Sequence, residues 1–271
     1  MTWTRREFVG FAGLLGLTSC ARLEQSRLGK LTPNFNLGQD GPLRFAVLTD
    51  LHLLDSRSVG IVGRAVNAIN NDHSIDFVAV LGDLSSHGTL PEMNLARHAL
   101  ERLRAPYFCV PGPHDISAGT EYGYEFYRRA FKKPQWKENR GGWTFIGLDT
   151  TGGKRLSAVM SDDSLAWLDD QLAHLDKDRP VVLFCHHPLG PNAREARLEN
   201  AAEVLTRFQH HNLRLVASGH VHENQEEEHG GILFVTTACC STTQKNTDEK
   251  GFRVFTLNNE QIQHEFIEVP A

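Results

Sequence analysis

The sequence has no surplus of positive charge, no hydrophobic run of membrane-spanning length and no internal repeat. Its 271 residues include 28 Lys and Arg against 33 Asp and Glu, for a formal net charge of −5. A protein that coats nucleic acid is therefore not expected, since it would need a basic surface. The longest apolar runs fall short of the roughly 18 residues that a spanning helix needs. With 40% hydrophobic residues, the composition is that of a globular domain with its own core.

Cysteine is scarce, whereas histidine is abundant. The five cysteines include no CxxC pair, so neither a zinc knuckle nor a redox motif is predicted. Cys109 and Cys185 lie in apolar, strand-like runs, where buried thiols pack as small hydrophobes. The 14 histidines include several that are adjacent or one residue apart. Any metal ligands are therefore expected among histidines and carboxylates.

The first twenty residues are typical of an export signal. Arg5 and Arg6 precede an apolar run at residues 11–17 and resemble a twin-arginine motif. Residues 17–20, Leu-Thr-Ser-Cys, resemble a bacterial lipobox in which Cys20 becomes the lipidated first residue of the mature chain. A plain secretory signal with an incidental cysteine is the alternative. We expect a periplasmic or cell-surface protein that is tethered to a membrane by lipid and has no spanning helix when mature.

Strands and helices alternate through the first two thirds of the remaining chain, and antiparallel strands close it. The predicted strands are 43–49, 76–81, 107–110, 143–148, 181–185, 213–217, 252–257 and 262–269. The predicted helices are 59–69, 91–103, 122–131, 163–175 and 194–208. His229-Gly230-Gly231 is typical of a turn between two further strands. This order indicates β-sheets covered by helices.

Five polar clusters each follow directly after a predicted strand. They are Asp50-Leu51-His52, Gly82-Asp83, Gly112-Pro113-His114-Asp115, His186-His187-Pro188 and Gly219-His220-Val221-His222. In open α/β sheets, sites form beyond the carboxyl ends of the strands, so the clusters should meet at one edge. Mixed Asp and His ligands suit Mn, Fe, Zn, Co or Ni, whereas calcium prefers oxygen alone. A carboxylate between two histidine clusters can bridge two such ions about 3.5–4 Å apart.

In this order the clusters resemble the motifs of the calcineurin-like metallophosphoesterases, which run DxH, GD, GNHD, H and GHxH. The resemblance covers residues 43–271 and implies an α/β fold, a four-layer αββα sandwich of two mixed β-sheets flanked by helices. It also implies a two-metal centre that hydrolyses phosphoesters by a metal-activated hydroxide. We therefore expect residues 1–42 to be signal and tether, and residues 43–271 to be a metallophosphoesterase domain.

The resemblance also assigns roles to individual residues. Asp50, His52 and His222 would hold the first metal, and His186 and His220 the second, with Asp83 bridging the two ions. His187 is the alternative to His186, although the first histidine of such a pair is the usual ligand. His114 would be a general acid or a phosphate donor near the leaving group, and Asp115 would orient it.

Within this superfamily, the nearest resemblance is to bacterial class III cyclic-nucleotide phosphodiesterase-like proteins. It rests on the stretch 82–112, on residues 145–149 and 165–168, and on His186-His187-Pro188. The expected substrate is a small phosphodiester, of the cyclic-nucleotide kind. Two alternatives stay open: a phosphomonoesterase, and a metal-binding lipoprotein with reduced or lost catalysis.

Pro113 departs from the family pattern, because the GNHD asparagine stands at that position in other members. Proline has no side-chain oxygen for a metal and no backbone N–H. The second site would then keep only Asp83, His186 and His220, and we expect it to be weak. His87, a short distance after Asp83, is the alternative source of a replacement ligand.

Overall fold

The computed structural model describes residues 41–117, 123–153, 158–244, 249–258 and 261–270. Residues 1–40, which include Arg5, Arg6 and Cys20, lie outside the described residues, so the predicted signal, tether and domain boundary stay predictions. Among the helices that are described, none has both the length and the apolar character needed to cross a membrane.

Strands and helices follow the predicted alternation closely. The strands are β1 Leu43–Leu48, β2 Phe77–Leu81, β3 Tyr107–Val110, β4 Trp136–Arg140, β5 Trp143–Gly147, β6 Pro180–Phe184, β7 Asn212–Ser218, β8 Gln225–His229, β9 Ile232–Thr236, β10 Gly251–Asn258 and β11 Gln261–Glu268. The helices are α1 Val59–Asn71, α2 Leu90–Leu100, α3 Glu125–Phe131, α4 Asp162–Ala173 and α5 Ala201–Arg207, with 3-10 turns at Pro113–Asp115 and Pro191–Ala196.

The strands form two mixed sheets. The first has the order β11-β10-β1-β2-β3, in which β1, β2 and β3 are parallel and β10 runs antiparallel to both of its neighbours. The second has the order β4-β5-β6-β7-β9-β8, parallel in the middle and antiparallel at both ends. Parallel central strands are buried on both faces, which is why they read as continuous apolar runs.

The sheets pack face to face through an aromatic core. The Phe45 ring stacks on Phe77 and on Phe255, each at a centroid distance of 5.0 Å, and meets Phe184 edge-on. On the outer face of the first sheet, Ala46 and its alternate neighbours pack with α1, α2 and α3, while α4 and α5 cover the second sheet. The predicted four-layer αββα sandwich is confirmed.

Two elements differ from the sequence prediction. Strand β4 was not expected, because Trp136–Arg140 is a polar, partly exposed edge strand. The sequence feature that indicates this strand is Gly141-Gly142. These two residues form a hairpin loop, with φ of 53° and 80°, that pairs Arg140 with Trp143. The helix predicted at 194–208 is confined to α5, because the Asn200 side chain bonds both backbone groups of Met160 and interrupts the run.

Candidate metal centre

All five polar clusters lie at the carboxyl ends of strands, as predicted. Those after β1, β2 and β3 come from the first sheet, and those after β6 and β7 from the second. Two hydrogen bonds join these loops across the two sheets: His220 N donates to Asp50 Oδ2 at 2.9 Å, and His186 Nδ1 lies 2.7 Å from the carbonyl of Leu81. Within the second sheet, Gly219 N donates to the carbonyl of His186 at 3.1 Å. The clusters therefore form one site at a shared edge.

The first group of ligand atoms belongs to Asp50, His52 and His222. Their donor atoms all lie within 4.8 Å of one another. His222 Nε2 is 3.2 Å from His52 Nε2 and also 3.2 Å from Asp50 Oδ1. All three residues are buried. This is the set that the sequence assigned to the first metal.

The second group consists of Asp83, His186 and His220. His186 Nε2 is 3.1 Å from His220 Nδ1 and 3.5 Å from Asp83 Oδ2. The other nitrogen of His186, Nδ1, lies 2.7 Å from the carbonyl of Leu81. A carbonyl only accepts, so Nδ1 carries the proton and Nε2 keeps a lone pair, as a metal ligand requires.

Asp83 lies between the two groups. Its Oδ2 is 3.6 Å from His52 Nε2 and 3.5 Å from His186 Nε2. Its Oδ1 accepts a hydrogen bond from the backbone N–H of His114 at 2.8 Å. One carboxylate oxygen is thus held by the protein, while the other is shared between the two ligand groups. This geometry fits a carboxylate that bridges two ions through a single oxygen.

The residues fit divalent metals on three observations. Two ligands 2.0–2.1 Å from one ion at a right angle lie about 3 Å apart, close to the nitrogen separations observed here. Asp50 Oδ1 is buried and accepts no hydrogen bond from any described residue. A buried carboxylate oxygen without a partner destabilises the folded state unless a cation binds it. Asp50 and Asp83 are also both buried, and the negative charge of Asp50 raises the pKa of Asp83, a repulsion that bound cations would relieve.

The pKa shifts of the ligand residues also favour metal binding. Burial and the negative charge of Asp50 raise the pKa of Asp83 to about 7. Burial would also raise the pKa of Asp50, but His186, His222 and His52 outweigh it and hold that pKa well below its ordinary value. Burial lowers the pKa of His186 and of His220 to about 4. The imidazoles are therefore neutral near pH 7, the form that binds metals.

The ligand backbones are held in a sparsely populated conformation. Of the six non-glycine residues with positive φ in the described part of the chain, five are candidate ligands: Asp50, His52, Asp83, His220 and His222, with φ between 43° and 72°. Asp and His tolerate this left-handed region better than most residues. Each such residue costs about 1–3 kcal/mol, and such strain is typical of functional sites.

His114 joins the centre. A ring nitrogen of His114 lies within 4.8 Å of donor atoms of His52 and Asp83. Its Nδ1 is 2.7 Å from the carbonyl of Ser86, a main-chain group that residue types do not indicate. The Asp115 carboxylate accepts from the N–H of Ser85 at 2.9 Å and of Gly112 at 3.0 Å. An orienting role of Asp115 toward His114 stays a prediction.

The two alternative histidines have other partners. His187 is buried with its Nδ1 2.9 Å from Thr150 Oγ1, and it belongs to neither group of clustered ligands. His87 Nδ1 is 2.9 Å from Glu92 Oε1. Neither histidine therefore replaces the asparagine that Pro113 displaces, and among the described His, Cys, Asp and Glu side chains the second group has three ligands.

Sequence reasoning missed the residues that support the ligands. Thr49 Oγ1 donates to Asp50 Oδ2 at 2.7 Å, and a hydroxyl at a strand end next to a ligand is a signal that could have found it. The carbonyls of Leu81 and Ser86 hold the His186 and His114 rings. Every residue has a carbonyl, so no residue type could have indicated these two.

Fold and site together define a two-metal hydrolase built on an αββα sandwich. Residues 43–224 match the family model described as calcineurin-like phosphoesterase. The chain belongs to this family and is a metal-dependent phosphoester hydrolase, as the motifs predicted. A divalent metal centre of clustered Asp and His residues belongs to that assignment.

The relatives include bacterial cyclic-nucleotide phosphodiesterases. A probable cyclic nucleotide phosphodiesterase of Synechococcus is 32% identical over 193 residues, which are 67% of this chain and 74% of the relative. A 3',5'-cyclic-nucleotide phosphodiesterase of Nostoc is 26% identical, covering 67% of this chain and 72% of the relative. A dimetal phosphatase of Danio rerio has the same fold, with a TM-score of 0.66 at 14% identity over 84% of this chain and 96% of that one.

Proposed function

We propose that the chain is an exported phosphodiesterase that acts on small diesters of the cyclic-nucleotide type. The observation that carries the proposal is Asp83 Oδ2, shared between His52 and His186 at 3.6 and 3.5 Å. A two-ion centre of this kind holds both the attacking and the leaving oxygen of a phosphoryl group. The substrate class is supported by the names of the Synechococcus and Nostoc relatives.

Each group of residues has a separate task in this proposal. Asp50, His52 and His222 would hold one ion, and His186 and His220 the other, with Asp83 between them. Bound divalent ions would generate a nucleophile from water at neutral pH and neutralise charge on the phosphoryl oxygens. Burial lowers the pKa of His186 and of His220 to about 4, so both are neutral near pH 7, and the bond from His186 Nδ1 to the carbonyl of Leu81 leaves the Nε2 lone pair for an ion.

His114 supplies the proton for the leaving group. In the protonated ring, Nδ1–H stays bonded to the carbonyl of Ser86, and the Nε2 proton passes to the leaving oxygen. The oxygen of the attacking water bonds to phosphorus as the P–O bond to the leaving group breaks, and the electron pair of that bond goes to the leaving oxygen. The products are a phosphomonoester and an alcohol, and the neutral Nδ1–H tautomer of His114 remains. Ser86 O thus has a donor before and after the transfer, which keeps the ring in place.

Purified protein with added Mn²⁺, Zn²⁺, Co²⁺ or Ni²⁺ tests the activity on three esters. We expect metal-dependent hydrolysis of bis-p-nitrophenyl phosphate and of 3',5'-cyclic AMP, and little of the monoester p-nitrophenyl phosphate. A preference for the monoester would make the protein a phosphomonoesterase. The Asp83→Asn variant is the control, because hydrolysis by a contaminating enzyme would be unchanged in a preparation of this variant.

Pro113 favours a second candidate, a metal-binding lipoprotein with reduced catalysis. The second ligand group has three protein ligands, and Pro113 adds none. Binding of one divalent ion without hydrolysis of any of the three esters would support this candidate. Turnover that rises with added metal would instead indicate an active enzyme with a weak second site.

Export and lipid attachment are part of the proposal and rest on residues 1–20. Arg5→Lys combined with Arg6→Lys should hold the precursor in the cytoplasm, as followed by cell fractionation. Cys20→Ala should release the mature protein from the membrane fraction, since stable anchoring needs several acyl chains. A Cys20→Ala protein that stays membrane-bound would contradict the lipoprotein assignment.

A further inference from the structure

The loop of residues 85–89 carries the carbonyl that orients His114. Its N-terminal side is tied to the β1 loop: Ser86 N donates to the carbonyl of Leu53 at 3.1 Å, and Ser86 Oγ to the carbonyl of His52 at 2.8 Å. From the other side, Asp115 Oδ1 accepts from Ser85 N at 2.9 Å. These contacts hold the first two residues of the loop, but not the turn that follows.

In that turn, Gly88 N donates to Ser85 Oγ at 3.1 Å, and Ser117 Oγ donates to the carbonyl of Gly88 at 2.6 Å. The residues on either side of Gly88 are held by Glu92, on the first turn of α2. The residue is 5% exposed. Its Oε2 accepts from the N–H of His87 at 2.8 Å and of Thr89 at 3.4 Å, and its Oε1 lies 2.9 Å from His87 Nδ1. A buried carboxylate with several donors is rigid, because each broken bond leaves a buried charge underpaired.

We propose that Glu92 is a positioning residue for His114. It fixes the N–H of His87, the residue after Ser86, and thereby sets the Ser86 carbonyl that holds His114 Nδ1 at 2.7 Å. The inference rests on the proposed function, in which His114 protonates the leaving oxygen. It goes beyond it by giving a catalytic consequence to a helix-capping carboxylate that touches neither substrate nor metal.

Three variants separate positioning from helix capping. Glu92→Ala removes the acceptor altogether. Glu92→Gln keeps an oxygen for His87 N, and its amide N–H₂ can donate to His87 Nδ1, because that ring is 60% exposed and free to change tautomer. Thr89→Ala removes the other half of the capping box, in which Thr89 accepts from Glu92 N, and leaves the bonds from Glu92 to His87 in place.

Two diesters with different leaving groups provide the readout. Phenolate, from diphenyl phosphate, needs a proton more than nitrophenolate, from bis-p-nitrophenyl phosphate, because it is more basic. Glu92→Ala should lower kcat on diphenyl phosphate about tenfold, part of the 10²–10⁴-fold that general acids contribute, and change bis-p-nitrophenyl phosphate less than about twofold. Glu92→Gln and Thr89→Ala should keep the wild-type ratio, with metal content unchanged by mass spectrometry.

An equal loss on both esters, or the same ratio change in Thr89→Ala, would overturn the positioning role. The ¹⁵N-histidine NMR spectrum tests it without turnover, with the His114 signals assigned by their loss in His114→Ala. The Nδ1–H tautomer of His114 should be lost or mixed in Glu92→Ala and kept in Thr89→Ala. Wild-type protein that hydrolyses neither ester would contradict the proposed function, and an unchanged His114 tautomer in Glu92→Ala would contradict the positioning role separately.

Discussion

At the scale of single residues, Asp83 divides its two oxygens between the protein and the metal centre. The His114 N–H holds Oδ1, which fixes the direction of Oδ2 toward His52 and His186. The same hydrogen bond ties the Asp83 carboxylate to His114, the residue proposed to protonate the leaving group. The Asp83 carboxylate and the His114 ring are therefore positioned together, and a substitution at one should also displace the other.

Asp83→Asn should reduce kcat/KM on bis-p-nitrophenyl phosphate by about 10²–10³-fold, since the stabilisation that a metal centre provides is several kcal/mol. A neutral amide cannot neutralise two cations or hold them close. The fold should survive, as measured by circular dichroism, because the ligand lies at the sheet edge. Asp55→Asn, at an exposed ion pair with Arg57, is the matched control. Full activity of Asp83→Asn would refute the site.

His114→Ala should slow diphenyl phosphate more than bis-p-nitrophenyl phosphate. General acid catalysis raises the rate by about 10²–10⁴-fold, but only for esters whose leaving oxygen needs a proton. Rates on both esters measure the difference, with the exposed His98→Ala of α2 as control. Equal losses on the two esters would indicate that His114 positions the phosphate and does not transfer a proton.

Pro113→Asn should strengthen the second site. An amide oxygen beside His114 would add a fourth protein ligand to Asp83, His186 and His220. The first site would have four protein ligands, Asp50, His52, His222 and the shared Asp83, so we expect about one tightly held metal per chain in the wild type and a number closer to two in the variant. Mass spectrometry of dialysed protein measures both, and Asn tolerates the turn conformation.

Pro134→Asn, in the segment before β4 and outside both ligand groups, is the control for the proline change itself. Diester turnover at low added metal should rise in Pro113→Asn only. Two metals retained by the dialysed wild type would contradict this prediction, because a group other than the family asparagine would then complete the second site.

At the scale of elements, the ligands are delivered by short loops that leave their strands in a left-handed conformation. Close approach of these loops requires glycine at two positions. A Cβ on Gly112 would overlap Asp83 Oδ1, and a Cβ on Gly219 would overlap Thr49 Oγ1. The glycines of the motifs thus make room for the carboxylates or for the groups that hold them.

Gly112→Ala should lower activity by about 10–100-fold, the usual effect of disturbing the partners of a metal ligand. The added methyl displaces Asp83 and breaks the bond to the His114 N–H. Isothermal titration with Mn²⁺ should show weaker metal binding. Gly60→Ala, on the exposed face of α1 with free space around it, should gain about 0.4–1 kcal/mol of stability and keep full activity. Normal metal affinity in Gly112→Ala would contradict the close approach.

At the scale of the whole molecule, the centre joins the two sheets. Asp50, His52 and Asp83 follow strands of the first sheet, whereas His186, His220 and His222 follow strands of the second. An ion bound in either group therefore connects both sheets at this edge, in addition to the aromatic core between them. Metal binding and folding stability are coupled by this arrangement.

Metal removal should lower the melting temperature by about 5–10 °C. A ligand at 100 times its Kd stabilises the folded state by about 2.7 kcal/mol, and 1 kcal/mol shifts Tm by about 2–4 °C in a domain of this size. Calorimetry with EDTA and after addition of Mn²⁺ measures the shift. The Asp83→Asn variant should lose most of it, and an identical Tm with and without metal would contradict the coupling.

The four-layer αββα order was implied by the resemblance to the calcineurin-like metallophosphoesterases. The residues alone indicated β-sheets covered by helices and clusters of Asp and His at one sheet edge. Both depend on local features: apolar runs mark buried parallel strands, and Asp or His directly after such a run lies at the sheet edge. Strand β4 was missed because its residues are polar, although Gly141-Gly142 signals its hairpin. The loss of a ligand at Pro113 could also be predicted, since it depends on the side chain alone.

Only the tertiary structure decided how the ligands are held. The carbonyls of Leu81 and Ser86 set the tautomers of His186 and His114. The Asp115 carboxylate accepts from the N–H of Ser85 and of Gly112, and the Glu92 carboxylate accepts from the N–H of His87. Carbonyls are common to all residues, and the residues that meet here are far apart in sequence. Their pairing depends on the distance between chain segments in the folded protein, which residue type does not specify.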